Sequence, residues 1–185
     1  MELDVALKGR RAVREFRSQG LDDATIERLI DAAVQAPSAV NEQPWTFTVV
    51  RDPVVLDRLA EEAKAYMLAT MPREHVERFR PRLSDPSFHI FYHAPALILI
   101  SAVSKGPWIQ EDCALAAENL MLAAYGEGLG TCWIGFAQGY LNTPQGKRLV
   151  GIPEAWVPVA PIIVGHPKAF PAAHERRRPT IRWIN

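Results

Sequence analysis

The chain is poor in cysteine, has no surplus of charge and contains no long hydrophobic run. Cys113 and Cys132 are its two cysteines. They sit in no metal-ligand spacing, which excludes zinc-finger and zinc-ribbon chemistry. So few free thiols fit a reducing, cytoplasmic setting. Lys and Arg together number 21, as do Asp and Glu, so the net charge is zero. General nucleic-acid and membrane-surface binders usually carry a net basic charge, and neither class is expected. The longest apolar stretches, 94–103 and 156–165, fall far short of the roughly 20 residues of a membrane span. Residues 1–8 mix charge with short apolar runs and do not read as a signal peptide. No repeat, low-complexity tract or linker is visible, so a single domain spanning 1–185 is expected. A fold of this length hides roughly 70% of the surface its unfolded chain exposes, and requires no disulfide or metal staple.

What is present is an ordinary soluble composition, 48% hydrophobic and 23% charged. Residues 3–16 read as a helix with Val5, Leu7, Val13 and Phe16 on its apolar side. Asp22 and Asp23 cap a second helix, where Ile26, Leu29, Ile30 and Ala33 recur at helical spacing. Pro37 stops it, and 36–44 is a loop. Residues 45–50 are aromatic and β-branched, which predicts a strand. A long helix follows at 56–71. The polar stretch 72–86 reads as a short helix and then a loop. Residues 96–103, apolar at nearly every position, predict a buried strand. The helix at 108–126 is apolar almost all round and suits the centre of the protein or a subunit interface. Gly126, Gly128 and Gly130 then break the chain. Residues 131–136 form a strand or turn, and 144–149 a short helix. The last strand, 157–164, holds Pro158 and Pro161, which predicts an edge or irregular strand. Helices and strands mix without βα alternation, so an α+β fold is expected rather than a Rossmann fold. Beyond Gly165 a polar arm ends in Ile181, Trp183 and Ile184. A tail with a tryptophan is expected to dock, and a second subunit is the natural surface for it.

Four segments carry candidate chemistry. Arg10, Arg11 and Arg14 crowd three like charges together, and the planar fork of arginine suits a phosphate. A solvated basic face is equally compatible with this segment taken alone. The loop 36–45 holds Ser38, Asn41 and Gln43 between Pro37 and Pro44. Its amides can read the edge of a heterocycle, and its prolines preorganise them. An ordinary turn with a left-handed Asn41 remains the other reading. Glu118 and Asn119 precede the glycine turn, where backbone can approach a planar ligand closely. A simple helix cap is the alternative there. These glycines follow a helix and precede a strand, the reverse of a dinucleotide fingerprint. Arg176, Arg177 and Arg178 form a second basic group near the C-terminus.

In this order, RRAVREF (10–16), APSAVNEQPW (36–45), AAENLMLAAYGEGLGTCWIG (116–135), GIPEAWVPVAPIIVGHP (151–167) and RRRP (176–179) resemble the FMN-dependent nitroreductase family. The resemblance covers residues 7–179. It implies a nitroreductase-like α+β fold with a central, mostly antiparallel sheet flanked by helices. It also implies a C-terminal arm exchanged in a homodimer, with two FMN molecules at the dimer interface. Carried over residue by residue, Arg10, Arg11 and Arg14 would contact the phosphate, ribityl and pyrimidine end of FMN. Arg177 would join the phosphate site, with Arg178 beside it. Pro37, Ser38, Ala39, Asn41 and Gln43 would line the flavin from the partner subunit. Cys132, Trp133, Ile134 and Gly135 would lie along the isoalloxazine through their backbone. Many relatives have a serine where Ala12 stands. Here Ala12 can offer only backbone or shape.

The implied activity is reduction of FMN by NADH or NADPH, followed by reduction of an electron-poor small molecule such as a nitroaromatic or quinone. No acid–base side chain is assigned, because the chemistry belongs to the flavin. The scaffold also implies alternatives: dehalogenation, enoate-type reduction, flavin fragmentation, or flavin binding without catalysis. The segment 65–91 is expected over the substrate pocket. His89 and His93 are four apart, but no third ligand is apparent and no metal is expected. Cys132 has no histidine to pair with and is not expected to act as a nucleophile. Glu61 and Glu62 read as a solvated helix face.

Overall fold

The computed structural model describes residues 2–103 and 105–184. Four strands, β1 (Trp45–Val50), β2 (Ala96–Ala102), β3 (Gly130–Trp133) and β4 (Val157–Gly165), form one sheet in the order β1-β2-β4-β3. All three pairings are antiparallel. The helices are α1 (Leu3–Gly9), α2 (Asp23–Ala33), α3 (Pro53–Thr70), α4 (Arg73–Leu83), α5 (Ile109–Gly126), α6 (Gly135–Leu141) and α7 (Pro144–Leu149). The expected α+β class with an antiparallel sheet is the one observed. No helix among the described residues is long and apolar enough to cross a membrane.

Strand β2 explains the layering. Successive side chains of a strand point to opposite faces. Leu97 and Leu99 join a core with α3 and α6, while Ile98 and Ile100 join another with α2 and α5. All four are fully buried. Each stabilises the fold by about 1.5–3 kcal/mol relative to exposure. Helix α2 begins as the sequence predicts, with the Asp22 carboxylate accepting from the Thr25 amide at 2.7 Å.

Three sequence expectations need correction. The first concerns 3–16, which is not one helix. Helix α1 ends at Gly9, where a side-chain methyl would collide with the ring of Tyr125. Residues 12–16 are extended instead: Ala12 bridges Thr131 and Phe16 bridges Pro167. Distant partners thus override local helical pattern. The second concerns β4, which lies inside the sheet rather than at its edge. Residues of an antiparallel strand send their N and O to the same neighbour. The Pro161 carbonyl accepts from the Ile134 amide at 2.8 Å, so its ring nitrogen also faces the β3 side, just past the end of β3. No ladder bond is lost there. Pro158 sits opposite the irregularity between Ile100 and Ser101. The third concerns Glu62, which is not merely solvated. It accepts from the Tyr140 hydroxyl and pairs with Arg58 at 2.7 Å. Burial and the Glu62 bond push the Tyr140 phenol up to about 12. This contact ties α6 to α3.

Helix α5 is only half covered. Cys113, Ala116, Ala117 and Leu120 are buried, but Trp108 beside its start and Leu115 on it are exposed. Leu3, Val5 and Leu7 of α1 are exposed as well. The C-terminal arm runs alongside the N-terminal segment as far as Lys168, whose amide donates to the Glu15 carbonyl at 3.0 Å. Phe170 then packs edge-on against Tyr125. Past Phe170 the described arm is exposed throughout and has no regular structure, and Trp183 is 81% exposed.

Candidate functional site

The chain leaves α1 at Arg10, whose ψ of 134° turns it from helix to extended backbone. Arg11 closes the helix end by donating from Nη1 to the carbonyls of Lys8 and Arg10, both at 2.7 Å. Next, the Val13 amide donates to the Thr131 carbonyl at 2.9 Å. Val13 is fully buried and lies flat on Gly130. This seat fixes Arg14 beside β3. The three arginines therefore stand off the expected helix, and each has different partners. Arg10 donates from Nε to Glu118 at 3.2 Å with its side chain 22% exposed. Arg11 is engaged with carbonyls. Arg14 has no carboxylate partner among the described residues and lines a cleft of about 300 Å³.

The other wall of that cleft is Cys132, Trp133, Ile134, Gly135 and Phe136. Here β3 ends and α6 begins, with no side chain capping the helix. The amides at such a helix start have no partner within the helix. A methyl at Gly135 would meet nothing within 4 Å, so a flat ligand has room against this backbone. Burial pushes the Cys132 thiol up, while Arg14 and Arg10 pull it back.

Phe79 and Arg82 of α4, with Ile90 and Tyr92, complete the cleft. The segment 65–91 expected over the pocket holds Phe79, Arg82 and Ile90 but stops one residue short of Tyr92, and the expected flavin-lining run ended at Gly135, one residue short of Phe136. Arg82 donates to the Tyr92 hydroxyl at 3.2 Å and lies 4.4 Å from the centre of the Phe88 ring. It too has no carboxylate partner among the described residues. The cleft thus offers two unneutralised guanidinium groups, aromatic walls and free backbone amides. That donor set suits an anionic, planar, electron-accepting ligand.

The loop 36–44 stands apart from this cleft within one chain. Its backbone is strained: Val40, Asn41 and Gln43 have φ of 45°, 58° and 48°. A β-branched residue in the left-handed region is a genuine outlier, and such strain clusters at functional sites. The loop is held by its own polar groups. Ser38 Oγ accepts from the Gln43 amide at 2.9 Å, and Gln43 Nε2 donates to Asn41 Oδ1 at 3.0 Å. The Ala39 amide donates to the buried Asp112 carboxylate of α5 at 3.0 Å. Pro37 and Val40 are left facing outward. Val40→Gly is expected to stabilise the protein by about 1 kcal/mol, since relief of roughly 1–3 kcal/mol of strain exceeds the ~0.5–1 kcal/mol entropic cost of glycine. A thermal melt should rise by about 2–4 °C; an unchanged or lower midpoint would show that the loop is relaxed as it stands.

Arg177 and Arg178 are not brought to Arg10 within one chain. They lie on the exposed arm, and no hydrogen bond or ion pair among the described residues engages them. The single chain therefore assembles Arg14 with residues 132–135 and presents the loop and the arm outward.

Three comparisons bear on this arrangement. The family model described as the nitroreductase family matches residues 7–166. A candidate NADH dehydrogenase/NAD(P)H nitroreductase of Methanothermobacter thermautotrophicus is 31% identical, over 95% of this chain and 82% of its own. An iodotyrosine deiodinase of Haliscomenobacter hydrossis is 28% identical, over 75% of this chain and 71% of its own. Among solved structures, a nitroreductase with bound FMN from Bacteroides fragilis superposes with a TM-score of 0.87 at 26% identity, covering 100% of both chains.

Proposed function

Because the chain belongs to the nitroreductase family, we propose that it is an FMN-dependent oxidoreductase that takes electrons from NADH or NADPH and delivers them to an electron-poor small molecule. The observation that carries this reading is the cleft that Arg14 lines together with residues 132–135. Arg10, with Arg177 and Arg178 of a partner's arm, would hold the phosphate, and Arg14 the electron-rich pyrimidine edge. The amides at the start of α6 would face the ring system, where the absence of a side chain at Gly135 leaves space. Ala12 contributes only its backbone bridge to Thr131. Pro37, Ser38, Ala39, Asn41 and Gln43 would close the site from the second subunit, which the exposed apolar residues of α1, α5 and the arm suit to a homodimer. We place this single-domain protein in the cytoplasm.

When bound, FMN would supply the hydride and electron chemistry. The protein's part is orientation, positive charge and aromatic walls. Phe79, Tyr92, Trp133 and Phe136 suit a flat aromatic acceptor, and Arg82 suits one bearing a nitro or carboxylate group. The last point also favours a second reading, reductive dehalogenation of a carboxylate-bearing aromatic.

The test is an absorption spectrum of the purified protein incubated with FMN, followed by anaerobic titration with NADH or NADPH. A stoichiometric bound flavin that bleaches on titration is expected. Turnover with nitroaromatics, quinones, enones and halogenated aromatics then separates the acceptor classes. A protein that stays colourless overturns the reading, and one that binds FMN without bleaching is a non-catalytic flavin binder.

A further inference from the structure

Next to Tyr92, but outside the lining of the cleft, lies a group of residues that the flavin chemistry does not use. Asp57 projects from α3, while His89 and His93 stand in the connection 84–95 between α4 and β2. One ligand atom from each lies within 4.8 Å of the other two. His89 Nε2 is 3.1 Å from Asp57 Oδ1, and the two imidazole centres are 4.4 Å apart. It is the one such cluster of three among the described residues. The sequence spacing of the histidines suggested no third ligand. The fold supplies it from a helix 32 residues earlier.

A His–Asp pair alone would not require His93. Yet Tyr92 and His93 are both held left-handed, at φ 53° and 52°, in a tight turn closed by the Tyr92 amide on the His89 carbonyl and the Ala94 amide on the Phe91 carbonyl. Two consecutive non-glycine residues in that region cost roughly 1–2 kcal/mol each. The turn is what brings the second imidazole against the first.

We propose that Asp57, His89 and His93 bind a divalent first-row transition ion of the zinc type, with the remaining coordination positions open to water. Two imidazoles and one carboxylate match the ligand preference of zinc and its neighbours, and not the all-oxygen preference of magnesium or calcium. Ligand atoms on one zinc lie about 3–3.5 Å apart when each is about 2 Å from the metal. Closing the present spacing takes a side-chain adjustment of about an ångström by His93 and Asp57, both exposed. The open positions face a cleft of about 450 Å³ lined by Leu21, Arg51, Leu56 and Pro95. Ligation has one structural consequence. His89 Nδ1 accepts from the Phe91 amide at 3.2 Å. With Nε2 on the metal that nitrogen carries the proton, and the Phe91 amide must let go.

The test uses the full, tag-free chain, stripped with chelator and titrated with zinc chloride against a competing chromogenic chelator. One equivalent is expected to bind with a Kd of about a micromolar or below, and magnesium chloride is expected to give no binding. Asp57→Asn and His93→Ala, both on exposed side chains, should each weaken zinc by about 100-fold, at or beyond the loss seen for outer-shell partners. His174→Ala on the arm should leave it unchanged. The Phe91 amide should shift in a nitrogen–proton correlation spectrum as zinc is added. Absence of a stoichiometric site, equal binding of magnesium, zinc affinity unmoved in Asp57→Asn or His93→Ala, or a stationary Phe91 amide would each overturn the proposal.

Discussion

Replacing Arg10 and Arg177 together by alanine is expected to lower FMN affinity by about two to four orders of magnitude. Each charge-assisted hydrogen bond to a phosphate contributes about 1.5–3 kcal/mol. Two of them give ~3–6 kcal/mol, and every ~1.4 kcal/mol is tenfold. The surroundings favour the full effect. Arg10 is three-quarters buried and fixed by Glu118, so its guanidinium is placed before any ligand arrives. Arg177 has no partner among the described residues to compete for it. Ala12 has no hydroxyl to offer, which leaves the phosphate more dependent on guanidinium groups. Flavin fluorescence titration of the apoprotein checks the outcome, with circular dichroism to verify the fold. A double variant that retains stoichiometric flavin would mean that the phosphate lies elsewhere.

Gly130→Ala is expected to be the most damaging single methyl for the site. The added carbon would lie 2.7 Å from Val13 Cβ and Cγ2 and 2.8 Å from Cγ1. Val13 is fully buried and has no free space to yield. Overpacking of this kind costs about 1–3 kcal/mol, or about 2–4 °C in the melting midpoint per kcal/mol for a chain of this size. The more telling result is functional. Val13 is bonded to Thr131, so its displacement moves Arg14, and FMN affinity should fall at least about tenfold with one charge-assisted bond lost. Gly126→Ala is the matched control. A methyl there meets nothing within 4 Å at the end of α5, and helix propensity should make it neutral or slightly stabilising. Equal flavin affinity in the two variants would show that the Val13 seat does not position Arg14.

These two sites mark where the sequence could and could not be read. Strands β1 and β2 are legible because buried strands need unbroken apolar, β-branched runs, and the start of α2 is legible from Asp22. Helix α7 stands where Pro144 predicts. Residues 10–16 mislead because their extended form depends on Thr131 and Pro167, far away in the chain. The interior place of β4 is hidden for a similar reason: proline in a central strand is tolerable only because β3 stops before reaching Pro161. The candidate site was readable only as a set of segments in order along the chain, of which the fold brings Arg14 and residues 132–135 to one cleft. Phe79, Arg82 and Tyr92 were not individually legible, because the docking of α4 and the left-handed turn at Tyr92 aim them, and neither is written in the local sequence.

Helix α5 holds two of these segments at once. Asp112 grips the loop through the Ala39 amide, and Glu118 grips the N-terminal segment through Arg10. On a helix, six residues span about 9 Å, and each added residue rotates the later turns by about 100°. The relation between the two grips is therefore an indexed one, set by the screw of a helix rather than by the slack of a loop. A single inserted residue between Asp112 and Glu118 would leave both segments intact and yet change how the loop of one chain meets the N-terminal segment of the other in the proposed dimer.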